Sequence, residues 1–106
     1  MPINAKIQSR EMDMLCNALL HLETLEECYQ FFEDVCTIAE MHAISQRLQV
    51  AQMLRDKVTY QEISRLTGAS TATISRVNRC VTYGSGGYGL VLDRLAADGE
   101  ISKGSE

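Results

Sequence analysis

Three times in this chain a threonine is followed three positions later by a glutamate: Thr24 and Glu27, Thr37 and Glu40, Thr59 and Glu62. That spacing is the capping box, in which the hydroxyl and the carboxylate reciprocally satisfy amide donors left open at a helix start. Apolar residues follow each box at intervals of three and four, the period of a helix with one buried face. Helices are thereby expected over 25–36, 38–55 and 60–67, with Cys28, Phe31, Phe32 and Val35 inward on the first of these. On the second, the stripe is Met41, Ile44, Leu48, Ala51 and Leu54. Met12, Leu15, Cys16, Leu19 and Leu20 mark an earlier helix over 9–22, and two more are expected over 71–81 and 90–97. Strict alternation of apolar and polar residues is nowhere sustained, so the expected class is all-α with six helices.

With 106 residues the chain is the size of one domain and too short for two independent cores. A core of that size buries a limited share of its apolar surface, which makes oligomerisation a natural source of further stability. Ile3, Ala5 and Ile7 alternate with polar residues, so the first segment does not read as a signal peptide. With no apolar run of membrane-spanning length, a cytoplasmic location is expected. Cys16, Cys28, Cys36 and Cys80 are far apart and form no C-x-x-C pair, so they are expected to be thiols packed as small hydrophobes rather than zinc ligands with His21 and His42. No metal or cofactor is expected, and no nucleophile–base pair suggests an enzyme.

A net charge of −4 argues against a nucleic-acid partner, but the charges are segregated. From Glu11 to Gln46 there is no lysine or arginine, while Glu11, Asp13, Glu23, Glu26, Glu27, Glu33, Asp34 and Glu40 are acidic. From Arg47 to Arg79 the balance reverses: Arg47, Arg55, Lys57, Arg65, Arg76 and Arg79 stand against Asp56 and Glu62. The molecule therefore has a polarised field, with cations concentrated where an anion would be met.

The cations surround the most informative segment, residues 60–81. Gly68 sits where one short helix must end in a left-handed residue, and Ser70 sits where the next must be capped. Ile63 and Leu66 face Ile74 and Val77 across the expected crossing, and Ser64 holds the place where close approach demands a small side chain. This is the layout of a helix-turn-helix. The outer face of its second helix would present Thr71, Ala72, Thr73, Ser75, Arg76 and Arg79. Small residues let the helix approach base edges in the major groove, while hydroxyls and arginines hold phosphates. The helix N-terminus at Ser70 itself favours an anion.

In Gly68, Ala69, Ala72, Thr73, Ile74 and Arg76 the sequence resembles the Trp repressor superfamily, where the turn and recognition helix read G-A-x-x-A-T-I-T-R. The likeness reaches back through Met53, Leu54 and Arg55. The preceding helices and the tail from Tyr83 to Gly89 are similar to the Trp-repressor-related branch called YerC/YecD. The resemblance implies a six-helix chain in an intertwined homodimer, with residues 1–58 as dimerisation helices and two helix-turn-helix units on one face. Carried over by position, Thr71, Ala72 and Thr73 approach bases, Gln61 lies near the DNA, and Ser75 contacts phosphate. The resemblance also implies an effector position between an arginine on the long central helix and one on the recognition helix. Arg76 matches the second, but in ungapped register the first falls on Gln46, one residue before Arg47 and therefore about 100° around the helix. Arg47 and Arg76 remain the candidate pair for a small-molecule corepressor, and tryptophan is not carried over as its identity.

The leading expectation is thus a sequence-specific DNA-binding transcriptional regulator of repressor type, with double-stranded DNA and a second copy of itself as partners. The alternatives are a protein-interaction module on the same scaffold without DNA readout, and a regulator that depends on a small-molecule effector. The glycine run from Gly84 to Gly89 lacks the lysine and preceding strand of a phosphate-binding loop and reads as a flexible connector, anchored by Tyr83 and Tyr88. Residues 98–106 read as a frayed tail.

Overall fold

Ser9, Thr24, Thr37, Thr59 and Ser70 each stand at the start of a helix, and each accepts a backbone amide three residues on. The computed structural model describes residues 3–101, and there it is all-α. After a short 3₁₀ turn at Ala5–Ile7 come α1 (Arg10–Leu20), α2 (Leu25–Val35), α3 (Ile38–Arg55), α4 (Tyr60–Thr67), α5 (Thr71–Tyr83) and α6 (Gly87–Ala97). Of the expected capping boxes, Thr37 and Glu40 close fully: the Glu40 amide donates to Thr37 Oγ1 at 3.1 Å and the Thr37 amide donates to Glu40 Oε1 at 2.8 Å. Hydrogen bonding to the carboxylate from Thr37, by its amide first and then its side chain, holds the Glu40 carboxyl below the usual range. At α2 the Glu27 carboxylate reaches past Thr24 and accepts from the Glu23 amide at 2.8 Å. At α4 it does not return to the cap, because Arg65 one turn on claims the Glu62 carboxylate.

Intrachain packing falls into two units, one ending at His42 and one beginning at Ala43, so the division lies within α3. In the second unit Val50, Ala51, Ile63, Ala69, Ile74, Val77 and Leu92 form the buried core. Leu48, Met53, Leu54, Val58, Val81, Tyr88, Leu95 and Ile101 pack around it. The long helix therefore contributes Val50 and Ala51 as its fully buried residues, while Ile44, expected on the inner stripe, is exposed. The seam between α4 and α5 also differs from expectation in one member. Leu66 is exposed, and Ala69 in the turn fills the space instead, because the glycine turn folds Ala69 under the crossing.

Arg55 ties α3 to α6: its Nη1 donates to the Gly89 carbonyl at 3.4 Å and its Nη2 pairs with Asp93 Oδ1. The helix α6 starts at Gly87, three residues earlier than hydropathy indicates. The glycine segment is consequently not the connector it resembles in sequence. Gly84 caps α5, with its amide on the Cys80 carbonyl at 2.8 Å, and a Cβ there would lie 2.4 Å from that same oxygen. At the other end the Gly99 and Glu100 amides turn back onto Ala96 and Leu95, and Ile101 packs half-buried on the core. Residues 98–101 are thus a closed helix end rather than a frayed one, and 102–106 lie outside the described residues.

The first unit is built differently. Neither α1 nor α2 contains a buried residue. Phe31 and Phe32 pack edge to face with centroids 5.9 Å apart, and both are half-buried. Around them a full apolar set is left in the open, including Leu20 at 80%, Leu25 at 76% and Ile38 at 71% exposure. Cys16 and Cys80 are exposed rather than packed as small hydrophobes, and Cys28 and Cys36 are half-buried. Among the described residues no helix is long and apolar enough to cross a membrane.

Candidate nucleic-acid interface

The turn between α4 and α5 is closed by hydrogen bonds to the Ile63, Ser64, Thr67 and Ala69 carbonyls. Gly68 adopts φ +76°, the left-handed conformation that only glycine enters without a steric penalty, and its amide donates to the Ser64 carbonyl at 2.9 Å. Thr67 Oγ1 donates to the Ile63 carbonyl at 2.7 Å and accepts from the Ala69 amide at 3.1 Å. The Ser64 hydroxyl donates to the Ala69 carbonyl at 2.8 Å. From α3, Gln46 Nε2 donates to the Thr67 carbonyl at 3.1 Å. The sequence reading asked for a small residue at Ser64. The structure shows that its hydroxyl spans the turn and locks the angle between the two helices.

Beyond the turn, α5 is anchored by Ile74 and Val77, both buried. Since those two point inward, the opposite face of the helix is open. Thr71, Ala72, Ser75, Arg76 and Arg79 are exposed there, as is Gln61 in the first turn of α4. Thr73 is half-buried, and Ser70 is occupied by the cap. The Ser70 hydroxyl accepts from the Thr73 amide at 3.1 Å and donates to Thr73 Oγ1 at the same distance. Of the candidate contact residues, six therefore share an open surface, while Ser70 and Thr73 are engaged with each other.

Electrostatically the helix pair is less crowded than its composition suggests. Arg55 is paired with Asp93, and Arg65 is paired with Glu62. Hydrogen bonding from Arg65 holds the Glu62 carboxyl below the usual range, while the pair raises Arg65 above its own. Arg76 and Arg79 have no carboxylate within salt-bridge distance among the described residues, so their charge is available to an anion.

A second constellation lies where α3, α5 and α6 meet. Tyr88 is half-buried against the core, and burial pushes its phenol pKa up. The Cys80 side chain pushes the same way, and Arg47 and Arg76 oppose both. Arg47 and Arg76 thus act on a common group despite the ungapped register, which had put Gln46 rather than Arg47 beside Arg76. Gln46 is instead committed to the turn at Thr67. Sequence reasoning treated Tyr88 as an anchor for a loop. Only its place in the first turn of α6, which the glycines conceal, brings it to this junction.

The family model of the Trp repressor protein matches residues 10–96, which is most of the chain, from the start of α1 into the last turn of α6. The chain belongs to the Trp repressor family. It is 54% identical over 90 residues to the uncharacterised YerC protein of Bacillus subtilis strain 168, across 85% of this chain and 86% of that one. Among solved structures, a TrpR-like protein from Eubacterium eligens superposes with a TM-score of 0.86 at 51% identity, covering 94% of this chain and 100% of that one. A Trp-repressor-type protein from Staphylococcus aureus gives 0.82 at 50% identity, covering 85% and 90%. At these identities the six-helix Trp-repressor-like fold is shared throughout.

Two outcomes are expected. Ser64→Ala keeps the side chain small but leaves the Ala69 carbonyl without its donor, so it should cost about 1 kcal/mol in urea unfolding. For Tyr88 the raised folded pKa fixes the sign of the linkage. Its contribution to stability is intact below the ordinary phenol value of about 10 and is lost as the pH rises through the folded value. Unfolding midpoints measured between about pH 8 and pH 11 should therefore fall less steeply for Tyr88→Phe than for the parent protein.

Proposed function

We propose that this member of the Trp repressor family is a sequence-specific DNA-binding transcriptional regulator of repressor type, acting as a homodimer in the cytoplasm. The observation that carries the reading is the open face of α5. A helix held rigidly by Ile74, Val77 and the Gly68 turn presents small and hydroxyl-bearing residues at its N-terminal end. Two arginines without carboxylate partners, Arg76 and Arg79, follow on the same helix. Thr71, Ala72 and Thr73 are assigned to the base edges, with Thr73 releasing its bond to Ser70 or reading through its methyl group. Ser75, Arg76 and Arg79 are assigned to phosphates, with Gln61 and the amides at Ser70 on the flanking backbone.

The homodimer reading is supported by the first unit. Eight of its larger apolar side chains (Met12, Met14, Leu15, Leu19, Leu20, Leu25, Val35 and Ile38) are exposed, and no residue of α1 or α2 is buried. Stable monomers rarely leave so many large apolar side chains facing water. A second copy covers it in the intertwined arrangement that the family implies. The acidic residues of α1 and α2 belong to the first unit, whereas Arg76 and Arg79 belong to the second. Two copies related by a twofold axis read half-sites one helical turn apart, about 10 base pairs.

Effector dependence is a second reading: the charges of Arg47 and Arg76 both draw the phenol pKa of Tyr88, on α6, downward against the larger effect of burial. A small anionic corepressor held by these arginines would set the angle of α5.

Selection from random duplexes without added ligand, at an ionic strength of about 0.15 M, should enrich a twofold-symmetric site. Enrichment only in the presence of small metabolites supports the effector-dependent reading. No enrichment under either condition points to a protein-interaction module. On the selected duplex, Arg79→Ala should weaken binding to all sequences alike, whereas Thr71→Ala should change which sequence is preferred.

A further inference from the structure

Among the described residues Lys57 is the one non-glycine residue with a left-handed backbone, at φ +65°. It closes α3: the Lys57 amide donates to the Leu54 carbonyl at 3.1 Å, and the Val58 amide donates to the Met53 carbonyl at 3.0 Å. This is the turn that ends helices by placing one residue in the left-handed region, a position glycine fills without penalty. The other helix ends of this chain that use such a residue use Gly68 and Gly99. None of the bonds that close the turn involves the lysine side chain. An L residue held in this conformation carries a steric penalty, and such outliers gather at functional positions.

The surroundings say what that function is. Lys57 is exposed, and it has no carboxylate within salt-bridge distance among the described residues. Its neighbours in sequence fix its backbone. Val58 packs half-buried against the core, and Thr59 caps α4 by accepting from the Glu62 amide at 3.3 Å. The cation is therefore presented from a rigid turn, two residues before the cap of the helix whose first turn carries Gln61. At that end of α4 the one carboxylate of the first turn, Glu62, is already bonded to Arg65. Of the six cations between positions 47 and 79, Arg55 and Arg65 are in ion pairs, Arg47 lies within α3, and Arg76 and Arg79 lie on α5. Lys57 is the cation without such a partner at the other edge of the helix-turn-helix.

We propose that Lys57 is a phosphate contact of the DNA interface outside the recognition helix, clamping the backbone at the α4 end while Arg76 and Arg79 hold it from α5. The proposal rests on the DNA-binding reading above and adds a residue to it. The left-handed conformation gives it an unusual test, since Lys57→Gly relieves the backbone penalty while removing the charge. A side chain kept for structural reasons would lose stability on substitution, whereas a phosphate contact loses affinity and leaves the fold intact.

The experiment compares the parent protein, Lys57→Gly, Lys57→Arg and Arg79→Ala by thermal unfolding and by titration of a random-sequence duplex over a range of salt concentrations. Expected for Lys57→Gly is an unfolding midpoint equal to or above the parent's, with duplex binding on the order of 10-fold weaker at low salt. The slope of log affinity against log salt should become shallower by about 1.8, which is two contacts per dimer. Lys57→Arg should retain the parent's slope. If Arg79→Ala flattens the slope and Lys57→Gly does not, the proposal is overturned and the interface on α5 stands. If the parent itself shows no salt-dependent duplex binding, the DNA-binding reading fails and takes this contact with it. A fall in the Lys57→Gly midpoint with an unchanged slope would assign the residue to the fold alone.

Discussion

The hydrogen bond from the Ser64 hydroxyl to the Ala69 carbonyl, closed over a left-handed Gly68, is the constraint on which the functional half of this molecule depends. Two short helices of 8 and 13 residues have little intrinsic stability. What fixes them is a turn in which the Ile63, Ser64, Thr67 and Ala69 carbonyls each accept a hydrogen bond, together with the burial of Ile63, Ala69, Ile74 and Val77. Gln46 extends that network to the long helix, so α3 feels the angle between α4 and α5 directly. Any anion or effector that moves Arg47 or Arg76 therefore acts on elements already coupled through the turn.

The two units answer to different physical demands. From Ala43 onward the chain has a core of its own, held by aliphatic side chains and by Arg55 bridging to Gly89 and Asp93. Up to His42 the helices are well capped yet bury no residue, and their apolar residues face outward. Caps define where a helix starts but contribute about 1 kcal/mol each, far short of what burial of a full apolar face supplies. A fold organised this way needs a covering surface for its first unit, which the homodimer proposed above would supply. Net acidity and DNA binding are then compatible, because the acidic residues and the unpaired cations belong to different units.

Much of this was legible in the sequence because the deciding signals are local. Capping residues, the glycine turn and the period of Ile63, Ile74 and Val77 are set by backbone chemistry within a few residues, and the helix boundaries from 25 to 67 were read within one position. What escaped depends on tertiary context. The glycines at Gly86, Gly87 and Gly89 hide the start of α6, whose Gly89 carbonyl and Asp93 are held by Arg55 from another helix. Leu66 and Ile44 follow the inward period and yet are exposed, since periodicity gives a face but not what covers it. The strained backbone of Lys57 has no sequence signature at all, because a lysine there reads as an ordinary solvated charge.

The most direct test of the account is an amide chemical-shift map of the protein titrated with a random-sequence duplex at low ionic strength. The account predicts that the largest shifts cluster at 70–79, with a second group at 57–62, while α1 and α2 are nearly unmoved. Shifts concentrated on α1 and α2 with α5 silent, or no shifts at all, would contradict the assignment of α5 as a DNA-reading helix.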